Sequence, residues 1–176
     1  MFKGVFTAIV TPFKNGKIDE KALRKLIEFQ IENGVAGIVA CGSTGESATL
    51  SFEEHVEVIR ITAEAVSGRI KVIAGTGSNN TVEAVHLAKS AENFKIDGHL
   101  QITPYYNKPT QEGLFLHFKA VAANCSMPVI LYNVPTRTAV NILPETALRL
   151  AEIDNIAGIK EASALYFFDI YARRFR

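Results

Sequence analysis

Tryptophan is absent from the 176 residues, and cysteine occurs only twice, as Cys41 and Cys125. Two widely separated cysteines have neither the spacing of a zinc site nor the number for a disulfide framework. The sequence therefore predicts the reducing cytoplasm as the compartment. Because nothing around either residue resembles the electropositive pocket of a reactive thiolate, we interpret both as small residues near element ends.

An excess of charge of one sign is also absent, since 19 Lys and Arg stand against 18 Asp and Glu. Such a balanced chain has no sustained field to attract nucleic acid or an anionic membrane, so a small molecule is the expected partner. No run approaches the roughly 20 apolar residues of a membrane-spanning helix. The N-terminal apolar run is broken by Pro12 and lacks a cleavage site, which indicates a first strand rather than a signal peptide.

Six short apolar runs are present instead, and they recur at fairly even intervals, beginning at Gly4, Gly34, Lys71, Gly98, Pro128 and Ile156. Amphipathic stretches separate them. One places Leu23 and Ile27 on a single helical face, and another opens with the capping-box pattern of Ser51 and Glu54. The alternation predicts an α/β fold with a parallel sheet covered by helices.

Two closures of this sheet compete: an open doubly wound sheet, and a (β/α)₈ barrel with a typical length of about 250 residues. Six βα units are too few for a barrel of eight, so the number of units alone favours the open sheet. No linker, low-complexity tract or charge block divides the chain, so we predict no internal domain boundary. Residues 164–176 are aromatic and basic where a polar loop should follow, and we interpret them as an atypical C-terminal tail.

The predicted strands end in polar motifs, and in parallel sheets and barrels chemistry gathers at these carboxyl ends. In "GSTGES", Gly42 and Gly45 leave backbone N–H groups open to an anion, and Ser43 and Thr44 add hydroxyl donors. Neither this motif nor "GTGSNN" has the pattern of a nucleotide-phosphate loop. A carboxylate-sized anion is the better prediction, and a nucleotide-binding open-sheet domain is a poor alternative.

Lys160, at the end of the sixth run, admits three interpretations. It can be a solvent-facing strand end, a salt-bridge partner of Glu161, or an amine that attacks a carbonyl. The neighbouring hydroxyls suit Schiff-base chemistry, which needs a nucleophilic amine, a proton shuttle and an anion site for an α-keto acid. Tyr132 can be that shuttle or a core aromatic. Arg137 can bind a carboxylate or be an ordinary surface arginine.

Histidines and a pair of adjacent tyrosines are the remaining side chains of chemical interest in the sequence. The four histidines show no metal-ligand spacing, so we predict no metal site and interpret them as surface or interface residues: His55, His86, His99 and His117. Tyr105 and Tyr106 cannot face the same way if their segment is extended, because successive side chains point to opposite sides.

Four ordered motifs, "GSTGES", "TPYYNKPTQEG", "YNVPTRT" and "GIKEAS", resemble the dihydrodipicolinate synthase family of the N-acetylneuraminate lyase superfamily, from about Phe2 to Ser163. The resemblance implies a TIM (β/α)₈-barrel fold with about six of the eight βα units, so that residues 1–163 form a partial barrel domain. It further implies a class I aldolase-like lyase that condenses pyruvate with L-aspartate 4-semialdehyde in the diaminopimelate route to lysine. A catalytically impaired truncated homologue and a related aldolase such as N-acetylneuraminate lyase remain alternatives, although Arg137 favours the synthase.

The resemblance also implies roles for single residues. Lys160 would form the Schiff base with pyruvate, with no metal or organic cofactor. Tyr132 and Thr44 would relay protons, and Tyr106 would complete the relay from the other subunit of a dimer. The expected assembly is therefore a homo-oligomer, a dimer or a tetramer.

Substrate carboxylates and a feedback site complete this set of implied roles. Ser43, Thr44 and Gly45 would hold the carboxylate of pyruvate, and Arg137 that of the semialdehyde. Phe52 replaces a histidine that some lysine-inhibited members carry. Six positions match those that line the lysine feedback site of such members: Ser47, Ala48, His55, Asn79, Glu83 and Tyr105.

Overall fold

The computed structural model describes residues 2–163, and the predicted tail at 164–176 lies outside them. These residues form two compact units, which we call the N-terminal unit (residues 2–75 and 90–98) and the C-terminal unit (residues 76–89 and 99–163). In chain order the strands and helices are β1 (Phe6–Ala8), β2 (Phe13–Lys14), β3 (Lys17–Ile18), α1 (Glu20–Glu32), β4 (Gly37–Ala40), α2 (Phe52–Val66), β5 (Lys71–Gly75), α3 (Thr81–Ala91), β6 (Gly98–Ile102), α4 (Gln111–Ala122), β7 (Val129–Asn133), α5 (Pro135–Thr138), α6 (Pro144–Leu150) and β8 (Ile156–Glu161). All six predicted strands are confirmed.

The N-terminal unit is built on parallel strands in the order β1-β4-β5. Its first helix, α1, starts at the N-cap Asp19, whose carboxylate accepts the N–H of Ala22, and it buries Leu23 and Ile27 completely. Helix α2 packs beside it. The predicted capping box is confirmed, because Ser51 and Glu54 each accept the backbone N–H of the other.

A two-stranded hairpin, β2 and β3, also lies in this unit and was not predicted. It turns through Asn15 and Gly16, whose φ values of 52° and 73° are those of a two-residue hairpin turn. Asparagine followed by glycine is the preferred sequence for that turn, since both residues adopt positive φ easily. The signal was therefore present, but strands of two residues are too short to show a periodic pattern.

The C-terminal unit carries parallel strands in the order β6-β7-β8. The register places Leu100 opposite Ile130, and Tyr132 opposite Lys160. Helices α4 and α6 pack together, and α4 begins at the N-cap Thr110. One apolar cluster forms the core of this unit: Leu114, Phe118, Ala122, Val129, Leu131, Ile142, Ala147, Leu150 and Ile156.

The interpretation of the histidines as surface or interface residues is wrong for three of them, because only His86 is exposed. His55, His99 and His117 are buried. Polar contacts accompany this burial: His55 Nε2 lies 2.6 Å from the carbonyl oxygen of Gly75, and Nδ1 of His99 lies 3.1 Å from the hydroxyl of Thr76. Burial lowers the pKa of His117 to about 4, which keeps that ring uncharged at neutral pH.

Cys41 follows β4 directly and is buried, in agreement with its interpretation as a small residue at an element end. Burial raises the pKa of its thiol, so the reactive thiolate form is disfavoured. Among the helices of residues 2–163, none combines the length and hydropathy needed to cross a bilayer.

Candidate active site

Lys160 and Tyr132 come together at the carboxyl ends of two neighbouring strands of the C-terminal unit. They are register partners in the β7–β8 ladder, and the Lys160 Nζ atom lies 4.2 Å from the centroid of the Tyr132 ring. Tyr132 is 7% exposed, whereas Lys160 is exposed. An amine and a phenol are thus placed within reach of the same small molecule.

Behind this pair, the next residues of the two strands also face each other, as Asn133 opposite Glu161. The Nδ2 group of Asn133 lies 3.0 Å from each carboxylate oxygen of Glu161 and 2.7 Å from Oδ1 of Asn141. The carboxylate also accepts the N–H of Ser163 at 2.8 Å. The carboxylate of Glu161 is therefore engaged by an amide. Sequence reasoning missed this group, although a polar residue that ends a strongly apolar strand was a usable signal.

Arg137 lies on the four-residue helix α5, directly after β7, and is exposed. The turn is anchored from inside by Thr138, which is 1% exposed and accepts a hydrogen bond from Thr103 at 3.1 Å. The Thr138 hydroxyl also lies 3.2 Å from the carbonyl oxygen of Val134. The exposed guanidinium is thus carried on a turn that the buried Thr138 holds in place.

Tyr106 has a φ of 71° and is 89% exposed, whereas Tyr105 beside it is half-buried. A positive φ is uncommon for a residue with a Cβ atom, and such strain is often found at functional sites. We expected Tyr105 and Tyr106 to point to opposite sides if their segment were extended. The positive φ of Tyr106 shows that the segment is not extended at this residue. The two phenols nevertheless lie in different environments.

The "GSTGES" motif lies in the N-terminal unit, where residues Ser43–Gly45 form one 3₁₀ turn after β4. Ser43 and Thr44 are exposed, whereas Gly45 is buried and its carbonyl oxygen accepts the hydroxyl of Thr11 at 2.7 Å. A Cβ atom at position 45 would lie 3.1 Å from the carbonyl oxygen of Ile9. The glycine lets the turn pack closely, and two hydroxyls face the solvent.

The six positions assigned to a feedback site divide between the units. Ser47, Ala48 and His55 lie in the N-terminal unit, and Asn79, Glu83 and Tyr105 in the C-terminal unit. In the C-terminal unit, the carbonyl oxygen of Asn79 accepts a hydrogen bond from Nδ2 of Asn107 at 3.0 Å. The backbone N–H of Asn107 donates to the backbone carbonyl oxygen of Tyr105. Glu83 accepts the hydroxyl of Ser78 at 2.6 Å. Asn79 and Tyr105 are thus linked through Asn107.

Comparison with known proteins decides the family. The sequence profile of the Dihydrodipicolinate synthetase family matches residues 1–171. The chain belongs to this family. Among curated relatives, the 4-hydroxy-tetrahydrodipicolinate synthase of Syntrophus aciditrophicus is 67% identical over 163 residues, which cover 93% of this chain and 56% of the relative. The chain spans about half the length of the curated relatives it matches.

Solved structures of family members show the same fold. The chloride-inhibited dihydrodipicolinate synthase of Acinetobacter baumannii, complexed with pyruvate, is 53% identical with a TM-score of 0.90, over 93% of this chain and 56% of that one. The enzyme of Cyanidioschyzon merolae with lysine bound is 43% identical with a TM-score of 0.95, over 99% of this chain and 61% of that one.

These likenesses confirm the α/β fold class of the TIM (β/α)₈-barrel family, with about six of its eight βα units. The open doubly wound sheet, which the number of strands favoured, is wrong. The physical reason is that the same right-handed βαβ unit builds both architectures, so a count of units cannot distinguish them.

Proposed function

We propose that Lys160 forms a Schiff base with pyruvate, and that the chain belongs to a dihydrodipicolinate synthase that condenses this adduct with L-aspartate 4-semialdehyde. One observation carries the proposal: the Lys160 amine lies 4.2 Å from the Tyr132 ring at paired strand ends. It is supported by the 67% identity to a curated synthase and by a 53% identical relative whose structure holds pyruvate.

The chemistry follows from the two side chains. The lone pair of the uncharged Lys160 amine attacks the keto carbon of pyruvate and forms a carbinolamine. A proton delivered from the Tyr132 phenol lets the hydroxyl leave as water, and the nitrogen lone pair forms the C=N bond. The Tyr132 phenolate left by this step takes a proton from the methyl carbon, and the electron pair of that C–H bond moves into the iminium to give an enamine. For this step, the lysine replaces a metal or an organic cofactor.

The resulting enamine carbon then attacks the aldehyde carbon of the semialdehyde, whose oxygen takes up a proton. For Ser43 and Thr44 we propose donation to the pyruvate carboxylate, since exposed hydroxyls suit an oxyanion. Gly45 would hold that carboxylate by leaving room for it at the turn, because its own N–H already donates to the carbonyl oxygen of Gly42 at 3.0 Å. For Arg137 we propose the carboxylate of the semialdehyde, which matches a guanidinium fork. Thr44 would also share in the proton relay with Tyr132.

We also propose a homo-oligomeric assembly and a binding site for lysine. The 89% exposed phenol of Tyr106 suits a role in the site of a second subunit, and so supports a homo-oligomer. The family member of Cyanidioschyzon merolae was solved with lysine bound. We propose that lysine binds near Asn79 and Tyr105, with Ser47, Ala48, His55 and Glu83 as the other candidates.

Intact mass spectrometry after incubation with pyruvate and borohydride tests the proposal. Reduction of the imine should add one pyruvate less one oxygen atom to the wild-type chain and to a Lys89→Ala control, but not to Lys160→Ala. Absence of the adduct from folded wild-type protein would overturn the Schiff-base assignment. In a second sample the semialdehyde is added before the borohydride. If the amount of trapped pyruvate adduct is then unchanged, the imine does not react with the semialdehyde, which would identify an impaired homologue and contradict the synthase activity.

A further inference from the structure

The register of β7 and β8 produces two adjacent side-chain pairs, Tyr132 with Lys160 and Asn133 with Glu161. Successive side chains of a strand point to opposite faces of a sheet. The first pair therefore occupies one face at the strand ends, and the second pair the other. Whatever fixes the second pair also fixes the backbone from which the first pair projects.

The side chain of Asn133 is fully buried, and both of its polar atoms are engaged. Its Nδ2 group donates toward Asn141 at 2.7 Å and toward Glu161 at 3.0 Å, and its Oδ1 accepts the N–H of Ile142 at 3.1 Å. Its backbone carbonyl accepts the N–H of Ala162 at 2.8 Å. The last residues of β8 are therefore held to β7 through both side chain and main chain.

Glu161 is held by neutral donors, the amide of Asn133 and the backbone N–H of Ser163. Hydrogen bonds to an ionised carboxylate are about twice as strong as those between neutral groups. They keep this carboxylate on its own face of the strand. A carboxylate released from Asn133 would be free to pair with the neighbouring Lys160 and to draw its amine away from the Tyr132 ring.

We infer that Asn133 and Glu161 form a positioning clamp for Lys160: they fix the end of β8 so that the amine stays over the Tyr132 ring, and they keep the adjacent carboxylate away from it. This inference rests on the proposed Schiff-base function. Neither clamp residue touches substrate. Their contribution is geometric, and a misplacement of about 1 Å can lower a rate roughly 100-fold.

Substitutions that exchange a hydrogen-bond donor for an acceptor, at nearly constant side-chain size, test whether Asn133 and Glu161 act through their hydrogen bonds or only through their burial. Asn133→Asp places two carboxylates together, and we expect the maximal rate of borohydride-trapped adduct formation to fall about 10- to 100-fold, with little change in the pyruvate concentration for half-maximal trapping. In the double variant Asn133→Asp/Glu161→Gln, the glutamine amide can donate to the aspartate. We expect this variant to recover most of the wild-type rate.

A second pair of variants serves if Asn133→Asp fails to fold. Glu161→Gln keeps an acceptor for Asn133 and for the N–H of Ser163, whereas Glu161→Ala removes it. We expect the glutamine variant to form the adduct at least about tenfold faster than the alanine variant. Equal rates for these two variants would overturn the clamp, as would a wild-type rate in folded Asn133→Asp.

A readout without pyruvate distinguishes failure of the clamp from failure of the proposed function. Reductive ¹³C-methylation labels the lysine amines, and a methylated Lys160 over the Tyr132 ring should give an upfield-shifted NMR signal, assigned by its loss in Lys160→Arg. We expect this shift in wild type, its loss in Asn133→Asp and Glu161→Ala, and its return in the double variant. A shifted signal in wild type without any pyruvate adduct would retain the clamp and overturn the function. An unchanged signal in folded Asn133→Asp and Glu161→Ala would overturn the clamp.

Discussion

Replacement of Gly75 by alanine is expected to be among the most damaging single-methyl additions in the N-terminal unit. Gly75 ends β5, and a Cβ atom built on it would lie 2.1 Å from the carbonyl oxygen and 2.7 Å from the carbonyl carbon of Cys41. Both atoms belong to the backbone that follows β4. No rotation of a side chain can relieve such a contact, so the backbone itself must move.

The magnitude follows from the size of that movement. To reach an ordinary carbon–oxygen contact the backbone must shift by roughly 1 Å, which is more than a hydrogen bond tolerates without weakening. Overpacking costs about 1 to 3 kcal/mol, and each of one or two disturbed hydrogen bonds adds about 1 kcal/mol. The contact of His55 with the Gly75 carbonyl is one of those at risk. We therefore expect Gly75→Ala to lower the free energy of unfolding by about 2 to 5 kcal/mol.

Urea denaturation followed by far-UV circular dichroism measures this loss, with Gly158→Ala as the matched control. Gly158 also lies in a strand, β8, but a Cβ atom there would have no neighbour within 4 Å among the described residues. Since alanine restricts the unfolded chain, the control should be unchanged or more stable by up to about 1 kcal/mol. Equal midpoints for the two variants would refute the reasoning from close backbone approach.

Two smaller effects can be measured with the same urea assay. Ser51→Ala removes the hydroxyl of the α2 capping box and should lower the free energy of unfolding by about 1 kcal/mol; an unchanged midpoint would show that the box contributes nothing. His117 has a folded pKa of about 4, against about 6.5 in an unfolded chain. The unfolded state therefore binds the proton first: stability is complete above about pH 6.5 and is lost as the pH falls toward 4, by up to about 3 kcal/mol. His117→Gln should flatten this part of the pH dependence, and an unchanged slope would contradict the assignment.

The elements that the sequence predicted well are those whose pattern is long enough to be periodic. All six apolar runs form parallel strands, and the four central ones, β4 to β7, are buried along most of their length, as continuous apolar residues require. The capping box at Ser51 was equally readable, since it depends on two residues at fixed spacing. The β2–β3 hairpin was missed because its strands are two residues each, and only its Asn15–Gly16 turn carries information.

In the candidate site, too, one part could be predicted from the sequence and another could not. The approach of Lys160 and Tyr132 could be anticipated, because motifs at the carboxyl ends of neighbouring parallel strands converge. The clamp at Asn133 could not, because it depends on the register of β7 against β8 and on a turn that brings Asn141 back to the strand end. Hydrophobic pattern carries no information on either. The buried histidines were misjudged for the same reason, since their burial depends on partners distant in sequence, such as Gly75 for His55.

The groups proposed for the two halves of the reaction act through different kinds of interaction, and this difference bears on how each half would depend on salt. The Schiff-base half uses a covalent bond from the exposed amine of Lys160 and a proton from the buried Tyr132. The proposed groups for the second substrate, Arg137 and Tyr106, are both exposed. An exposed guanidinium binds a carboxylate weakly, because water and salt screen the attraction. Binding of the semialdehyde at Arg137, as proposed, would therefore weaken as the ionic strength rises, whereas covalent capture of pyruvate by Lys160 would depend on salt far less.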